Sequence, residues 1–240
     1  MLKNTDAIVL KTSVFGEADL IVTYLSKDYG IIQVFAKSPR KIKSRFGSSL
    51  EPLTYSKIAF LGKEHSTLPR LTRSDIIKSF HKIRDDPGTF MDVSQILRLN
   101  LTFVHRGSPV AELFELLYYT LEHISEGSDR EVLLLIYRLK FLALLGYNPN
   151  LNRCGRCGIP ISENDKGASH DFLVTDGTIL CNRCKDGSNG YIQISKMAIR
   201  FYNSLMRLSI KKANNITAHR SLVSEVTDLI NMHIKYLKHR

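Results

Sequence analysis

Four cysteines in two pairs carry the sharpest chemical signal in the chain: Cys154-x2-Cys157 and, after 23 intervening residues, Cys181-x2-Cys184. A two-residue gap lets both sulfurs of a pair turn onto one ion, and four thiolates satisfy the tetrahedral preference of Zn²⁺. The spacer slightly exceeds the common range of about 15–20 residues. Gly155 and Gly158 suit the tight turn of a zinc knuckle, and Asn182 is expected to tolerate a left-handed backbone. Four protein ligands close the shell and leave no position for water or substrate, so the expected metal is structural rather than catalytic. Disulfides are a rival reading, which fits poorly in a chain read as lacking an export signal. A dithiol redox site is another, but it normally uses a single Cys-x2-Cys beside a strand–helix unit. His170 is a weak spare ligand, expected to be a solvated loop residue.

A second signal is electrostatic. The stretch from Lys37 to Gly47 holds five cations, Lys37, Arg40, Lys41, Lys43 and Arg45, and no Asp or Glu occurs between Asp28 and Glu51. It follows an apolar β-type run directly. It should therefore be a strand-to-strand connection from which long cations reach successive phosphates. Phe46, inside the same stretch, either stacks on a base or plugs one end of a barrel. Lys57, Lys63, Arg70, Arg73, Lys78, Lys82 and Arg84 extend the positive field, although sequence assigns them to no single face.

Enzymatic signatures are missing. The chain has no Gly-x4-Gly-Lys-[Ser/Thr] phosphate loop, no Gly-x-Gly-x2-Gly turn, no Gly-x-Ser-x-Gly elbow and no His-Glu-x2-His helix. Asp85 and Asp86 form the only adjacent acidic pair, and a helix start accounts for them more simply than a metal-dependent nuclease. The expectation is a protein without a catalytic residue.

These residues need elements to hold them. Apolar runs at 7–10, 20–25, 31–36, 55–61, 67–71 and 76–77 alternate with turn residues, a strand pattern. Lys27, Asp28, Tyr29 and Gly30 have the length and chemistry of a hairpin loop. About five strands in so short a segment imply a small barrel, and the charge excess favours the oligonucleotide-binding (OB) type. Helical periodicity follows, starting at Asp86 and Pro87 and stopping at Gly107, then from Ser108 and Pro109 to Gly127, then from Asp129 to Gly146. The third of these is apolar on most sides and should lie at the centre of a bundle. Residues 148–192 are rich in turn formers and carry every cysteine. Ser195 opens another amphipathic helix, and a last one runs through Leu222, Val226, Ile230 and Leu237. The expected architecture is multi-domain α+β: an OB-fold barrel at 1–84 and an α-helical domain at 85–240 containing a zinc module at 148–192.

Of 240 residues, 43% are hydrophobic and 24% charged, which excludes wholesale disorder. The longest apolar stretch, 132–147, is broken by Arg138 and Lys140 and falls short of the about 20 residues a membrane span needs. Residues 1–11 show no apolar core with a cleavage site, so a cytoplasmic, nucleoid-associated protein is expected. The net charge of +11 is unevenly placed: residues 1–84 hold 15 Lys/Arg against 7 Asp/Glu, residues 85–240 hold 19 against 16. The polyanion-binding surface should therefore be N-terminal.

The chain also resembles the bacterial RecO family of recombination-repair proteins. The likeness is carried by Ala7-Ile8-Val9-Leu10-Lys11, the run from Gly16 to Thr23, the turn ending at Gly30, Phe35-Ala36-Lys37, Lys43-Ser44-Arg45-Phe46 and Leu50-Glu51-Pro52-Leu53. Where the family usually reads Gly-Ala-Arg-Arg, this sequence has Ser38-Pro39-Arg40-Lys41. Some family members lack the cysteines, which suits a stabilising metal. The resemblance implies an OB barrel that binds single- and double-stranded DNA and anneals complementary strands. It also implies that the protein acts with RecR to place RecA on strands coated by single-stranded-DNA-binding protein, whose tail docks on the helical domain. Two other classes compete: a zinc-ribbon regulator of nucleic acid without annealing activity, and a metal-dependent nuclease with dispersed acids.

Overall fold

Strand formation starts earlier than the apolar runs suggest, because the first strand serves two neighbours. β1 (Leu2–Phe15) pairs antiparallel with β2 (Asp19–Ser26) through its second half and with β4 (Tyr55–Leu61) through its first. An irregularity between Val9 and Lys11 lets one strand bend across both partners. β3 (Gly30–Ala36) pairs with β2, and β5 (Arg70–Lys78) pairs with β4 and meets β3 in parallel at Phe35 and Arg70. The result is a closed barrel in the order β1-β2-β3-β5-β4, as expected of an OB fold. The hairpin between β2 and β3 turns at Gly30, whose φ of 62° is open to glycine. Arg70 and Leu71, the end of the run at 67–71, and the run at 76–77 belong to the same strand, β5, while Thr67 lies outside the described residues.

The structure describes residues 1–40, 46–62, 68–105, 111–161, 169–185, 191–213 and 216–239. It is a computed structural model. Packing divides the chain into two units, Met1–Gly127 and Ser128–Arg240. The first three helices, α1 (His81–Asp85), α2 (Pro87–Phe103) and α3 (Ala111–Ser125), thus pack in the barrel's unit, whereas the sequence pattern changes from strand to helix at 84/85. Asp86 caps α2 by accepting the Thr89 amide at 3.0 Å, with Pro87 in the first turn. The sequence signals at Gly107, Ser108 and Pro109 lie outside the described residues.

An aromatic ladder explains why α3 belongs with the strands. Tyr55 of β4 meets Phe114 and Tyr118 of α3 edge-on, each with ring centroids 5.5 Å apart. Beside them Glu122 accepts hydrogen bonds from Lys78 Nζ at 2.8 Å and Tyr118 Oη at 2.6 Å.

In the second unit α4 (Arg130–Leu144) is capped by Asp129 and buries ten of its residues, among them the whole run from Val132 to Leu139. α5 (Lys196–Arg207) and α6 (Arg220–Lys238) pack on it and on each other. Ser195 caps α5, and its amide and hydroxyl both donate to Glu225 of α6. Between α4 and α5 the turn-rich segment forms a four-stranded sheet that its composition does not announce. Its strands are β6 (Asn150–Cys154), β7 (Ser169–Leu173), β8 (Thr178–Leu180) and β9 (Tyr191–Ser195), in the order β6-β8-β7-β9. Among the described residues, no helix is long and apolar enough to cross a membrane.

Burial works against the charge of Glu122, but the hydrogen bonds from Lys78 and Tyr118, with the nearby Lys78 charge, hold its carboxyl below the usual range. A depressed carboxyl stabilises the fold above its unfolded pKa of about 4.3 and loses that contribution as pH falls through the lower folded value. Glu122→Gln should therefore cost about 1–2 kcal/mol at neutral pH, with native and variant converging in acid. Denaturant titrations across pH check this; a gap that stays constant into strong acid contradicts it.

Candidate nucleic-acid interface and metal centre

The basic segment leaves β3 at the mouth of the barrel. Lys37 is exposed, and Ser38 takes a left-handed φ of 55°, a conformation that favours glycine. The turn is held from the β1–β2 hairpin: the Ser38 amide donates to Asp19 Oδ1 at 2.6 Å, and Arg40 Nη1 donates to the Glu17 carbonyl at 3.0 Å. A guanidinium carries five N–H donors, so this contact leaves most of Arg40 available. Lys41, Lys43 and Arg45 lie outside the described residues.

At the far end of the segment the structure corrects one alternative. Phe46 is only 4% exposed and sits in the barrel core with Val9, Val22, Val34, Leu50 and Phe60. Its ring closes the barrel rather than facing a base, because an apolar interior gains more from a buried phenyl than a solvated loop does. The following 3-10 turn (Gly47–Leu50) is tied to β1, where Thr12 Oγ1 donates to the Leu50 carbonyl at 2.6 Å. The cationic stretch is thus strung between two anchors, Asp19 and Phe46. Chain spacing gave no signal for the first of these.

Three of the other N-terminal cations are engaged in ion pairs. Arg73 pairs with Asp75 at 2.6 Å, Lys78 with Glu122 at 2.8 Å and Arg84 with Glu51 at 2.9 Å. Arg84 also donates to the Pro52 and Ser79 carbonyls, so its role is structural. Lys57, Arg70 and Lys82 are exposed, and Lys63 lies outside the described residues.

In the second unit all four sulfurs converge. The Sγ atoms of Cys154, Cys157, Cys181 and Cys184 lie within 4.8 Å of one another, and those of Cys157 and Cys181 are 3.7 Å apart. Metal–sulfur bonds of about 2.3 Å in a tetrahedron put sulfurs roughly 3.8 Å apart, so the donor set fits a tetrahedral divalent ion. Charge supports the same fit. Burial alone would raise the Cys154 thiol, but backbone N–H groups of Cys181, Cys157 and Arg156 pull it down to about 6. Hydrogen bonds to Cys157 and Cys181 push Cys184 up to about 12, so one thiolate suppresses ionisation of its neighbour until a cation compensates them.

Each knuckle has its own backbone reason. Gly158 has a φ of 72°, and its amide donates to the Cys154 carbonyl at 2.9 Å, closing the first turn. Gly155 is required by space instead: a Cβ there would lie 2.1 Å from Thr178 Cγ2 of β8. Asn182 is not left-handed, since among the described residues only Ser38, Leu53 and Phe80 are non-glycines with positive φ. The second turn closes without it, through the Cys184 amide donating to the Cys181 carbonyl at 3.0 Å. Arg156 ties the knuckles together by donating to the Cys184 carbonyl at 2.9 Å.

His170 is also corrected. It is 3% exposed, placed on β7 and packed inward rather than solvated. Strand alternation buries it with Phe172.

Comparison with known proteins then places the chain. The family model described as "Recombination protein O N terminal" matches residues 1–80, and that described as "Recombination protein O C terminal" matches residues 84–238. A protein of Thermodesulfovibrio yellowstonii named DNA repair protein RecO is 38% identical over 96% of this chain and 91% of its own length. Proteins of the same name from Halalkalibacterium halodurans and Bacillus subtilis are 30% and 28% identical, over 98% and 97% of this chain and 92% and 88% of theirs.

The two glycines should separate on mutation. Gly155→Ala overpacks against Thr178 and should cost about 1–3 kcal/mol, and it should release bound metal to a chelator more readily than the native chain. Gly158→Ala meets open space and bears only left-handed strain, about 1–2 kcal/mol. Equal chelator sensitivity of Gly155→Ala and native protein would contradict the packing role.

Proposed function

Because the chain belongs to the recombination protein O family, we propose that it is a DNA-binding recombination mediator in DNA repair. It binds single- and double-stranded DNA and anneals complementary strands. With RecR it helps load RecA onto strands coated by single-stranded-DNA-binding protein, and it works in the cytoplasm at the nucleoid. The DNA-binding domain is 1–84, and the helical domain 85–240 carries the zinc module at 148–192.

The observation that carries this reading is the segment from Lys37 to Arg45, with five cations and no carboxylate, held between Asp19 and the buried Phe46. Lys37, Arg40, Lys41, Lys43 and Arg45 are the phosphate contacts, and Phe46 is their apolar anchor. Annealing needs no bond making and no catalytic residue. A basic surface that holds two strands screens their repulsion and raises their local concentration, which speeds pairing.

The metal of the cysteine cluster is zinc, held by Cys154, Cys157, Cys181 and Cys184. Four thiolates favour it over oxygen-seeking cations. Its part is to fix the β6–β9 sheet.

Annealing of complementary strands coated with single-stranded-DNA-binding protein tests the assignment. Neutralising Arg40, Lys41, Lys43 and Arg45 together should slow annealing about tenfold or more. It should also flatten the slope of log affinity against log salt from roughly −3.5 to roughly −0.7. An unchanged rate would move the site elsewhere on the chain. A strong preference among unrelated sequences would favour a sequence-specific regulator, and magnesium-dependent loss of strand a nuclease.

A further inference from the structure

With Phe46 in the core, the barrel needs another group if it is to hold bases as well as phosphates. Strand register shows which residues share the outer face beside the basic segment. Ser13, Ile21, Phe35 and Arg70 lie opposite one another across β1, β2, β3 and β5. Their neighbours Val22 and Val34 are fully buried in the core, so this row faces outward. Phe15 is two residues beyond Ser13 and falls on the same face.

Phe15 departs from the other aromatic side chains. At 51% it is the most exposed aromatic among the described residues, and it is held in place: its ring meets that of Phe35 edge-on, with centroids 5.9 Å apart. It stands at the end of β1, on the hairpin whose Glu17 and Asp19 grip the start of the basic segment. Lys11 precedes Ser13 by two residues on β1, Lys37 follows Phe35 by two, Arg70 lies opposite Phe35, and Arg40 donates to the Glu17 carbonyl; all four are exposed, with Glu17 the exposed acid nearby in sequence. A braced phenyl ring on a face that also carries cations is complementary to a strand that offers both flat bases and phosphates. In an OB barrel this face, over strands 2 and 3 and the loop joining strands 1 and 2, is where oligonucleotides lie.

We propose that Phe15, braced by Phe35, is a base-stacking platform that gives the barrel its grip on unpaired DNA, while the neighbouring cations hold the phosphates. The inference rests on the reading that the segment from Lys37 to Arg45 contacts DNA. Duplex bases are already stacked on one another, so the platform acts on single strands. It gives the protein a means to distinguish unpaired from paired substrate that phosphate contacts alone do not supply.

Two variants at an exposed position test this without disturbing the core. Phe15→Ala should weaken binding to oligothymidylate about tenfold or more, leaving duplex affinity and the salt slope close to native. The chain has no tryptophan, so Phe15→Trp installs a single indole; it should bind like the native chain and be quenched by oligothymidylate. Native-like binding of oligothymidylate by Phe15→Ala overturns the proposal, as expected if the patch serves a protein partner. Equal losses on single strand and duplex also overturn it. If the native chain itself binds no DNA, the underlying reading falls with it; if native binding persists with its full salt slope, only the stacking role is lost.

Discussion

The barrel closes where the end of β3 meets the start of β5 in parallel, with Phe35 opposite Arg70. That contact joins the last two edges of the sheet, and the apolar side chains facing inward then have no other place to go. Closure needs a first strand long enough to border two others, which is why β1 runs through 14 residues and bends near Val9. It also dictates where the cations stand. The interior is filled by Tyr24, Val34, Phe46, Leu71 and their neighbours, while Lys37 and Arg40 at the start of the connection from β3 to β4 are exposed. Phe46 enters the core at one end of that connection, and Asp19 holds the other. Both described ends of the basic segment are thus fixed by the same closure of a small apolar core.

The second unit meets a different constraint. Its β6–β9 sheet is made of strands of three to five residues, too short to hold one another firmly. Four sulfurs converge beside them. Cys154 is the last residue of β6, and Gly155 next to it touches Thr178 of β8, so the sulfur cluster and the strand pairing determine each other. A metal that neutralises the thiolates therefore acts on the sheet, and the absence of any spare ligand position in the set fits a stabilising part.

Much of this was legible in the chain because it depends on local chemistry. The Cys-x2-Cys pairs, the caps at Asp86, Asp129 and Ser195, and the apolar α4 each reflect interactions within a few residues. What depended on distant partners was not. The segment 2–6 lies outside the apolar run at 7–10, and its strand depends on pairing with β4. Ile76 and Ile77 read as a strand run and lie in β5, but both are largely exposed and contribute little to the core. The strands β6–β9 hide in turn-rich text because their pairing is long-range. Phe46 sits among cations in sequence and among valines in space, and His170 occupies an inward strand position inside a polar stretch. Asn182 does not take the left-handed backbone its residue type would tolerate, and the turn carries hydrogen bonds from the Cys184 amide and from Arg156.

The central claim is that nucleic acid lies along the β1–β2 hairpin and the basic segment, and that the cysteine unit keeps the scaffold. Hydrogen–deuterium exchange with and without a single-stranded oligonucleotide addresses it directly. Protection should appear over residues 11–23 and 33–46 and be absent over 150–184. Protection confined to the cysteine-bearing sheet, with the hairpin unchanged, would contradict the account.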